Sequence, residues 1–511
     1  MKFVTSQTMR EAENRAIAKN VAAAMFMMDA AGRGLTQAIR NLATWSRRPD
    51  SVVRLLAGPG NNGGDAFAAA LYLKEIGMHP EVWLACPKEK LRGPAKAFFE
   101  HMVQDGIPWR EMVGEKAWAS LSLEPLPPFI LVDALLGTGA KGEPTGDIRR
   151  AVDYLRTRSP FSLVVAADIP TGMNADTGAL AECAVQADVT VAMGFPKAGM
   201  AAPEAMEALG SLVLAYIGLP AELAEAMPDA APGLQWISRP DVRRILPRRR
   251  HDSHKGTYGR ALLLGGSARY PGAIVLAAAG AARSGAGLVD VSTVAEAMGP
   301  LVARVPEAIA RADLSAEIAL ENPAAILAGP GLGRDPEARR LVARLLRETP
   351  CPLVLDADAI SVLEGKPEAI RPCAQPVILT PHPGELAKLL GVDVSQIQKD
   401  RPAAAREAAE RTGAVVVLKG AGTLVAKTGH PTWINLTGNP GMACGGSGDV
   451  FAGLLAGLLA QGIPPYEAAA VAAWLHGTAG DIAAMRMTQY ALKAGDIVHA
   501  LPEAFRSASA R

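Results

Sequence analysis

At 511 residues the chain is too long to fold around one core, so two large domains or three small ones are expected. Hydrophobic residues make up 49% and charged residues 20%, which marks a globular rather than a disordered chain. With 52 basic against 51 acidic residues the net charge is +1, so bulk electrostatics give no reason to expect a nucleic-acid partner.

The opening "MKFVTSQTMREAENRAIAKN" predicts a helix and carries charges where a signal peptide needs its apolar core. A strand–loop–helix rhythm comes next: "SVVRLLAG" as strand, "PGNNGGD" as loop and "AFAAALYLKEIG" as helix. "PEVWLA", "PFILVDALLG", "SLVVAADIP" and "ADVTVAM" are further short apolar strands, spaced to leave room for helices. Apolar strands alternating with helices predict a parallel sheet covered on both faces. The rhythm fades at 220–240, rich in Ala and Pro, and the boundary is placed there: residues 1–220, a linker 221–236, then 237–511. The basic run "RRILPRRRHDSHK" (243–255) beside it reads as a solvated hinge segment.

A second series begins with "RALLLGGS", "GLVDVSTV" and "AAILAGPGLG", and continues through "PLVLDADAI", "PVILTPHPGE" and "AVVVLKGAGTLVA". It closes on two helices, 448–461 and roughly 465–486. The fold class expected is therefore α/β, with two tandem domains. "LAGPG" at 56–60 and 327–331 is a weak repeat that similar strand-end loops explain equally well. Five cysteines without a CxxC pair argue against disulfides and structural zinc and fit a reducing, cytoplasmic setting. The apolar runs fall short of a membrane span or are broken by Gly, Pro and Gln, so no membrane partner is expected.

In open α/β sheets ligands bind beyond the carboxyl ends of the strands. Three such ends in the first half carry polar residues: "GPGNNGGD" (58–65), "VDALLGTGAKGEP" (132–144) and "DIPTG" (168–172). Any one of them would pass for a turn, but three at successive strand ends suggest a site. Their donors are oxygens, which suit a hard cation or a ribose rather than zinc. The pattern is not G-x-G-x-x-G, so hydride transfer is not supported.

These motifs, with "TSQTMREAE", resemble the YjeF N-terminal family of NAD(P)H-hydrate epimerases over essentially residues 1–220. The resemblance implies a Rossmann-like three-layer domain in which Asn61, Asn62, Gly63, Gly64 and Asp65 hold the hydrated nicotinamide nucleotide. It adds the loop Gly137, Thr138, Gly139, Ala140, Lys141, Gly142 and Glu143 to that set. Asn62, Asp133 and Thr171 would bind potassium, and Asp168 would meet substrate near the epimerised carbon. Asp168 could act as acid/base there or only hydrogen-bond a hydroxyl. Ala66 and Thr171 stand where the family has Gly and Ser; Thr171 keeps the hydroxyl.

The second half concentrates small and polar residues at strand ends: "HKGTYGR" (254–260), "YPGA" (270–273), "GPGLG" (329–333), "LDADAI" (355–360), "TPHPGE" (380–385), "LKGAGT" (418–423) and "NPGMACGGSGD" (439–449). Lys419 could meet a phosphate or merely snorkel, and Asp356 and Asp358 could serve a ligand or cap a helix. His382, set between prolines, could be positioned for substrate or be structural. "GGSGD" is a glycine-rich lead into a helix, a place for an anion, yet it carries Asp449. Taken alone Asp449 reads as a helix cap; beside the other strand-end loops it reads as a base taking a proton from a hydroxyl that attacks the bound phosphate.

Together these stretches resemble the YjeF C-terminal family of ADP- or ATP-dependent NAD(P)H-hydrate dehydratases over roughly 235–505, a ribokinase-like fold. The resemblance implies that Ala273, Gly331, His382 and Asp449 contact the hydrated nicotinamide. Lys419, Gly420, Ala421, Gly422, Thr423 and Gly448 would contact the adenine nucleotide. It also implies Mg2+ with ADP as co-substrate, Asp449 as catalytic base, and a homo-oligomer, tetramer or larger. Cys444 and Ser447 replace a frequent Ala or Thr and Thr. The whole chain thus resembles a fused repair enzyme that epimerises NAD(P)HX and dehydrates its S form, giving AMP and phosphate. Two rivals are kept: a vitamin or sugar kinase fused to a binding module, and a first domain that only binds nucleotide.

Overall fold

A computed structural model describes residues 1–119, 128–320 and 322–509. It divides into two compact units, Met1–Pro232 and Gly233–Arg511. The stretch 221–236, expected as a linker, is taken up by the units themselves. Ala230 N donates to Phe3 O at 2.9 Å in the first unit. Leu234–Trp236, beyond the division, pairs as a strand in the second. Among the described residues no helix is long and apolar enough to cross a membrane.

The first unit is built on β1 (Val52–Ala57), β2 (His79–Leu84), β3 (Trp109–Glu111), β4 (Ile130–Ala134), β5 (Leu163–Ala167), β6 (Val189–Met193) and β7 (Ser211–Ala215). They form one parallel sheet in the order β3-β2-β1-β4-β5-β6-β7. The inner strands are buried on both faces, which is why they read as apolar runs instead of alternating ones. The edge strands were not anticipated: "WRE" has no apolar run, and β7 leaves Val213 exposed. The order reverses beside β1, because β2 and β3 build outward on one side and β4 starts the other. The loops after β1 and β4 therefore open onto one crevice.

The second unit carries ten strands, β8 (Leu234–Trp236), β9 (Arg260–Leu264), β10 (Leu288–Ser292), β11 (Ile309–Arg311), β12 (Ala325–Ala328), β13 (Leu353–Leu355), β14 (Val377–Leu379), β15 (Val415–Leu418), β16 (Thr423–Ala426) and β17 (Thr432–Asn435). Their order is β11-β10-β9-β12-β13-β14-β15-β16-β17-β8, with the reversal between β9 and β12. β11 to β15 are parallel, whereas β15, β16 and β17 pair antiparallel. "AVVVLKGAGTLVA" is thus a hairpin, its "KGAG" forming the turn.

The expected closing helices are Ser447–Ala460 and Pro465–Met487, with a third, Ala494–Ser509, after them. Ser447–Ala460 is apolar around its circumference and runs through the core, as such a helix must. It crosses the helix Pro271–Arg283 at backbone distance: a Cβ on Gly453 would lie 1.8 Å from Ala277 O, and one on Gly280 2.4 Å from Val450 O. Because the obstacle at Gly453 is a carbonyl in a helix, it cannot rotate away. Gly453→Ala is therefore expected to lower stability by about 1–3 kcal/mol, read as a lower thermal midpoint of the second unit. An unchanged midpoint would mean the helices separate freely.

Candidate active sites

In the first unit the helix Asn61–Glu75 starts earlier than the sequence suggested, so Asn61 to Asp65 form its first turn, with Gly60 as cap. The loop leading into that turn packs against the loop after β4: a Cβ on Gly58 would sit 1.9 Å from Leu135 O. Asn62 and Asp65 face inward and are buried. Neither amide atom of Asn62 has a hydrogen-bond partner among the described residues. Such an orphan is costly and suits a site that a ligand or ion completes.

Asp133, at the end of β4, accepts from Thr171 N and Thr171 Oγ1, each at 2.7 Å, and from Leu135 N at 3.3 Å. These bonds fasten the β4 loop to the β5 loop. Burial nevertheless pushes the Asp133 carboxyl up to about 6. Asp168 adopts φ 64°, unusual outside glycine, and turns its side chain into the crevice. Its Oδ1 accepts from Met193 N at 3.3 Å and from Lys197 Nζ. Its Oδ2 lies 3.5 Å from the place a Gly137 Cβ would occupy, and the Asn62 Cβ is equally near that place.

So Asn62, Gly137 and Asp168 come together, with Asp133 and Thr171 joined beside them. Glu143 is drawn aside: it accepts from Glu182 N at 2.8 Å and Cys183 Sγ at 3.4 Å, and those bonds hold its carboxyl below the usual range. Thr138 to Gly142 form the rim, where Arg10 Nη2 stands 3.5 Å from a Gly139 Cβ. Sequence reasoning missed Arg10, Glu13 and Lys197. Lys197 was within reach as a fourth polar strand end, in "GFPKAG" after β6. Glu13 had no signal, since a helix face is not legible until its partner is known.

In the second unit Gly446, left-handed at φ 90°, caps Ser447–Ala460 without a side-chain bond. Asp449 is the third residue of that helix, so it is not the cap. Its carboxylate makes no hydrogen bond among the described residues and is half-buried. Burial first, and Asp356 next, push it up to about 7 against the pull of Lys419. Lys419, at the end of β15, bonds Asp356 Oδ1 at 2.7 Å and lies 3.9 Å from Glu385 Oε2. Thr380 Oγ1 also donates to Asp356 Oδ1, at 2.7 Å. A Cβ on Gly448 would be 3.3 Å from Lys419 Nζ, which brings the glycine-rich turn and the ammonium together.

Asp358 caps nothing; it accepts from Gly333 N and Arg334 Nε, both at 3.0 Å, tying the β12 and β13 loops. Gly331, at φ 63°, lets that loop approach: a Cβ there would be 3.0 Å from Ala273 Cβ. His382 caps the helix Pro383–Leu390, its Nδ1 accepting from Gly384 N at 3.0 Å and Glu385 N at 3.2 Å. Its exposed Nε2 lies 3.5 Å from Glu385 Oε1. The turn Lys419 to Thr423 is open to solvent on one side, and Arg401 donates to Leu418 O and Lys419 O at 3.4 and 3.3 Å. Arg401 is the cation that the sequence reading missed here; nothing in its helix pattern marks it.

Comparison with known proteins assigns each half. The family model for NAD(P)H-hydrate dehydratase matches residues 261–503, and that for YjeF-related protein N-terminus matches residues 24–199. The bifunctional NAD(P)H-hydrate repair enzyme Nnr of Moorella thermoacetica is 35% identical over 520 residues, covering 99% of this chain and 97% of its own. The enzyme of the same name from Escherichia coli is 35% identical over 452 residues, covering 88% and 84%. Among solved structures, the ADP/ATP-dependent NAD(P)H-hydrate dehydratase of Bacillus subtilis, co-crystallised with ATP/Mg2+, aligns with a TM-score of 0.51 at 36% identity, over 54% of this chain and 99% of that one.

The charge layout of the second crevice makes a prediction independent of substrate. Removing the ammonium in Lys419→Met should raise the Asp449 titration from about 7, and removing a like charge in Asp356→Asn should lower it. Carboxyl carbon NMR of labelled aspartate reads both. Shifts of the same sign would mean that the two groups do not act on Asp449 through their charge.

Proposed function

The chain belongs to the bifunctional NAD(P)H-hydrate repair enzymes, and from that premise we propose how its residues divide the work. The first unit epimerises hydrated NAD(P)H and the second dehydrates it. A sugar or vitamin kinase is set aside, since the matching relatives are repair enzymes along nearly the whole chain.

In the first crevice Asn61 to Asp65 and Gly137 to Glu143 would enclose the nucleotide. Asp168 Oδ2 would face the carbinol carbon: it would take the hydroxyl proton as the ring C–N bond opens to the aldehyde and pass it to the ring nitrogen, and closure onto the other face of the carbonyl would reverse both transfers. Asn62, Asp133 and Thr171 would hold potassium. The buried, unpaired Asn62 amide and an all-oxygen donor set fit such an ion. When bound it would supply fixed positive charge beside an anionic nucleotide.

In the second crevice the observation that carries the reading is Asp449: a half-buried carboxylate without a hydrogen bond among the described residues, in the first turn of a helix, beside an ammonium. Asp449 would take the proton of the ring hydroxyl as that oxygen attacks the terminal phosphorus of ADP. The O–P bond forms, the phosphoanhydride breaks and AMP leaves. Phosphate then departs with the ring C–O bond while a proton is lost from the adjacent carbon, restoring the dihydropyridine. The N–H groups of the turn 446–448, the helix dipole and Lys419 would steady the charge in transit. The turn Lys419 to Thr423 would seat the nucleotide, Ala273, Gly331 and His382 the nicotinamide, and Mg2+ would accompany ADP. The chain would work in the cytoplasm as a tetramer or larger homo-oligomer.

The test is a mixture of both NADHX epimers with ADP, magnesium and potassium, monitored by NADH absorbance. Full recovery is expected, with Asp449→Asn slower by at least ~100-fold. Because the base must be ionised, kcat/KM for dehydration should fall as pH drops below about 7. Recovery stopping at one epimer would strip the first crevice of its catalytic role. Normal turnover by Asp449→Asn would remove Asp449 as the base. A second prediction concerns the ion: Asn62→Ala should raise the potassium concentration needed for half-maximal epimerisation at least ~10-fold, since a removed ligand leaves the cation underbound. Unchanged potassium dependence would discard that site.

A further inference from the structure

Asp168 is oriented by something the sequence did not reveal. Lys197 lies just past β6 and is 1% exposed, deep for a side chain that otherwise keeps its charge in water. Its Nζ donates to Met193 O at 2.9 Å and to Asp168 Oδ1, which also receives the Met193 N–H. Both bonds to Asp168 fall on Oδ1. Oδ2 is left toward Gly137, the side on which substrate would sit for epimerisation.

We propose that Lys197 is a positioning residue for epimerisation, holding Asp168 by one carboxylate oxygen so that the other is presented to substrate. The inference rests on the proposed role of Asp168 in that reaction. Three observations support it. The left-handed backbone of Asp168 is a conformation that only a surrounding constraint maintains, and Lys197 together with the Met193 N–H supplies one. Lys197 is buried where a merely structural position would be filled at lower cost by an apolar side chain. The remaining charged groups facing the carboxylate are Asp65, from the helix after β1, and Glu13, from the first helix, with Arg10 acting on Glu13. Burial and mutual repulsion push Asp65 well above, and Glu13 above, the ordinary carboxylate range, while Lys197 opposes both. One ammonium therefore sets the charge balance of three carboxyls.

The experiment measures conversion of the R to the S epimer by chromatography, without nucleotide, across pH, in the full-length protein. Lys197→Met keeps the volume and removes the charge. Its kcat should fall at least ~100-fold while KM changes less than ~3-fold, because the base is misplaced and the nucleotide cradle is not. The acid limb of its pH profile should move up, as loss of an opposite charge beside the base requires. An unshifted limb or a normal kcat in Lys197→Met would overturn the proposal. Should Lys197→Met fail to fold, Lys197→Gln, which fills the place with a shorter uncharged side chain, decides alone: a normal kcat overturns the proposal, and a lowered kcat with KM changed less than ~3-fold upholds it. Asp168→Asn separates the two levels: normal epimerisation there would refute the role of Asp168 itself, whereas its loss beside a normal Lys197→Met would refute only the part given to Lys197.

Discussion

In each unit one lysine ammonium stands among more carboxylates than it can neutralise. Lys197 meets Asp168, with Asp65 and Glu13 close by; Lys419 meets Asp356, with Glu385 and Asp449 close by. Removing an ionised carboxylate from water costs several kcal/mol, and one cation cannot offset three such groups. The surplus carboxyls respond by holding protons to higher pH, which is why Asp65, Glu13, Glu385 and Asp449 all shift upward. Asp449, which would be an inert carboxylate at the surface, becomes able to exchange a proton near neutrality. The dehydration proposed for the second crevice needs that property, and it arises from how few countercharges are buried with the carboxylates.

The fold creates this condition by its strand order. Each sheet reverses direction beside its first long strand, so loops from both sides open onto one crevice. Asp133 and Thr171 clamp two of those loops in the first unit, and Asp358 does the same in the second through Gly333 and Arg334. The helix bearing Asp449 is held against its neighbour at backbone distance by Gly453 and Gly280. These contacts fix where the charged groups stand relative to one another.

The two crevices face the same damaged ring with different requirements. The epimerisation proposed for the first crevice takes and returns one proton as a ring bond opens and closes, which an oriented carboxylate would serve. Expelling a hydroxyl needs a better leaving group, hence a nucleotide phosphate and an anion-binding turn. Asp449 sits beside that turn despite its charge because raised affinity for a proton softens the repulsion a fixed carboxylate would exert on phosphate.

How much of this could be read from the residues depends on the range of the interactions. Apolar runs, glycine-rich strand ends and their spacing are local, and they determined the α/β class, most inner strands and the loops around Asn62, Asp133, Asp168, Lys419 and Asp449. The edge strands β3, β7 and β8 were not legible, since a short strand is defined by the neighbour it pairs with. Nor was the start of the helix at Asn61, which the packed β4 loop permits. Whether Asp449 capped its helix was undecidable from type and position alone; only the fold showed Gly446 in that place. Arg10, Glu13, Lys197 and Arg401 lie far along the chain from the motifs they serve. The sequence by itself determined which chemistry each strand end carries. Tertiary structure alone decided which charges share a crevice, because burial and Coulomb interaction depend on distance in space and not on separation along the chain.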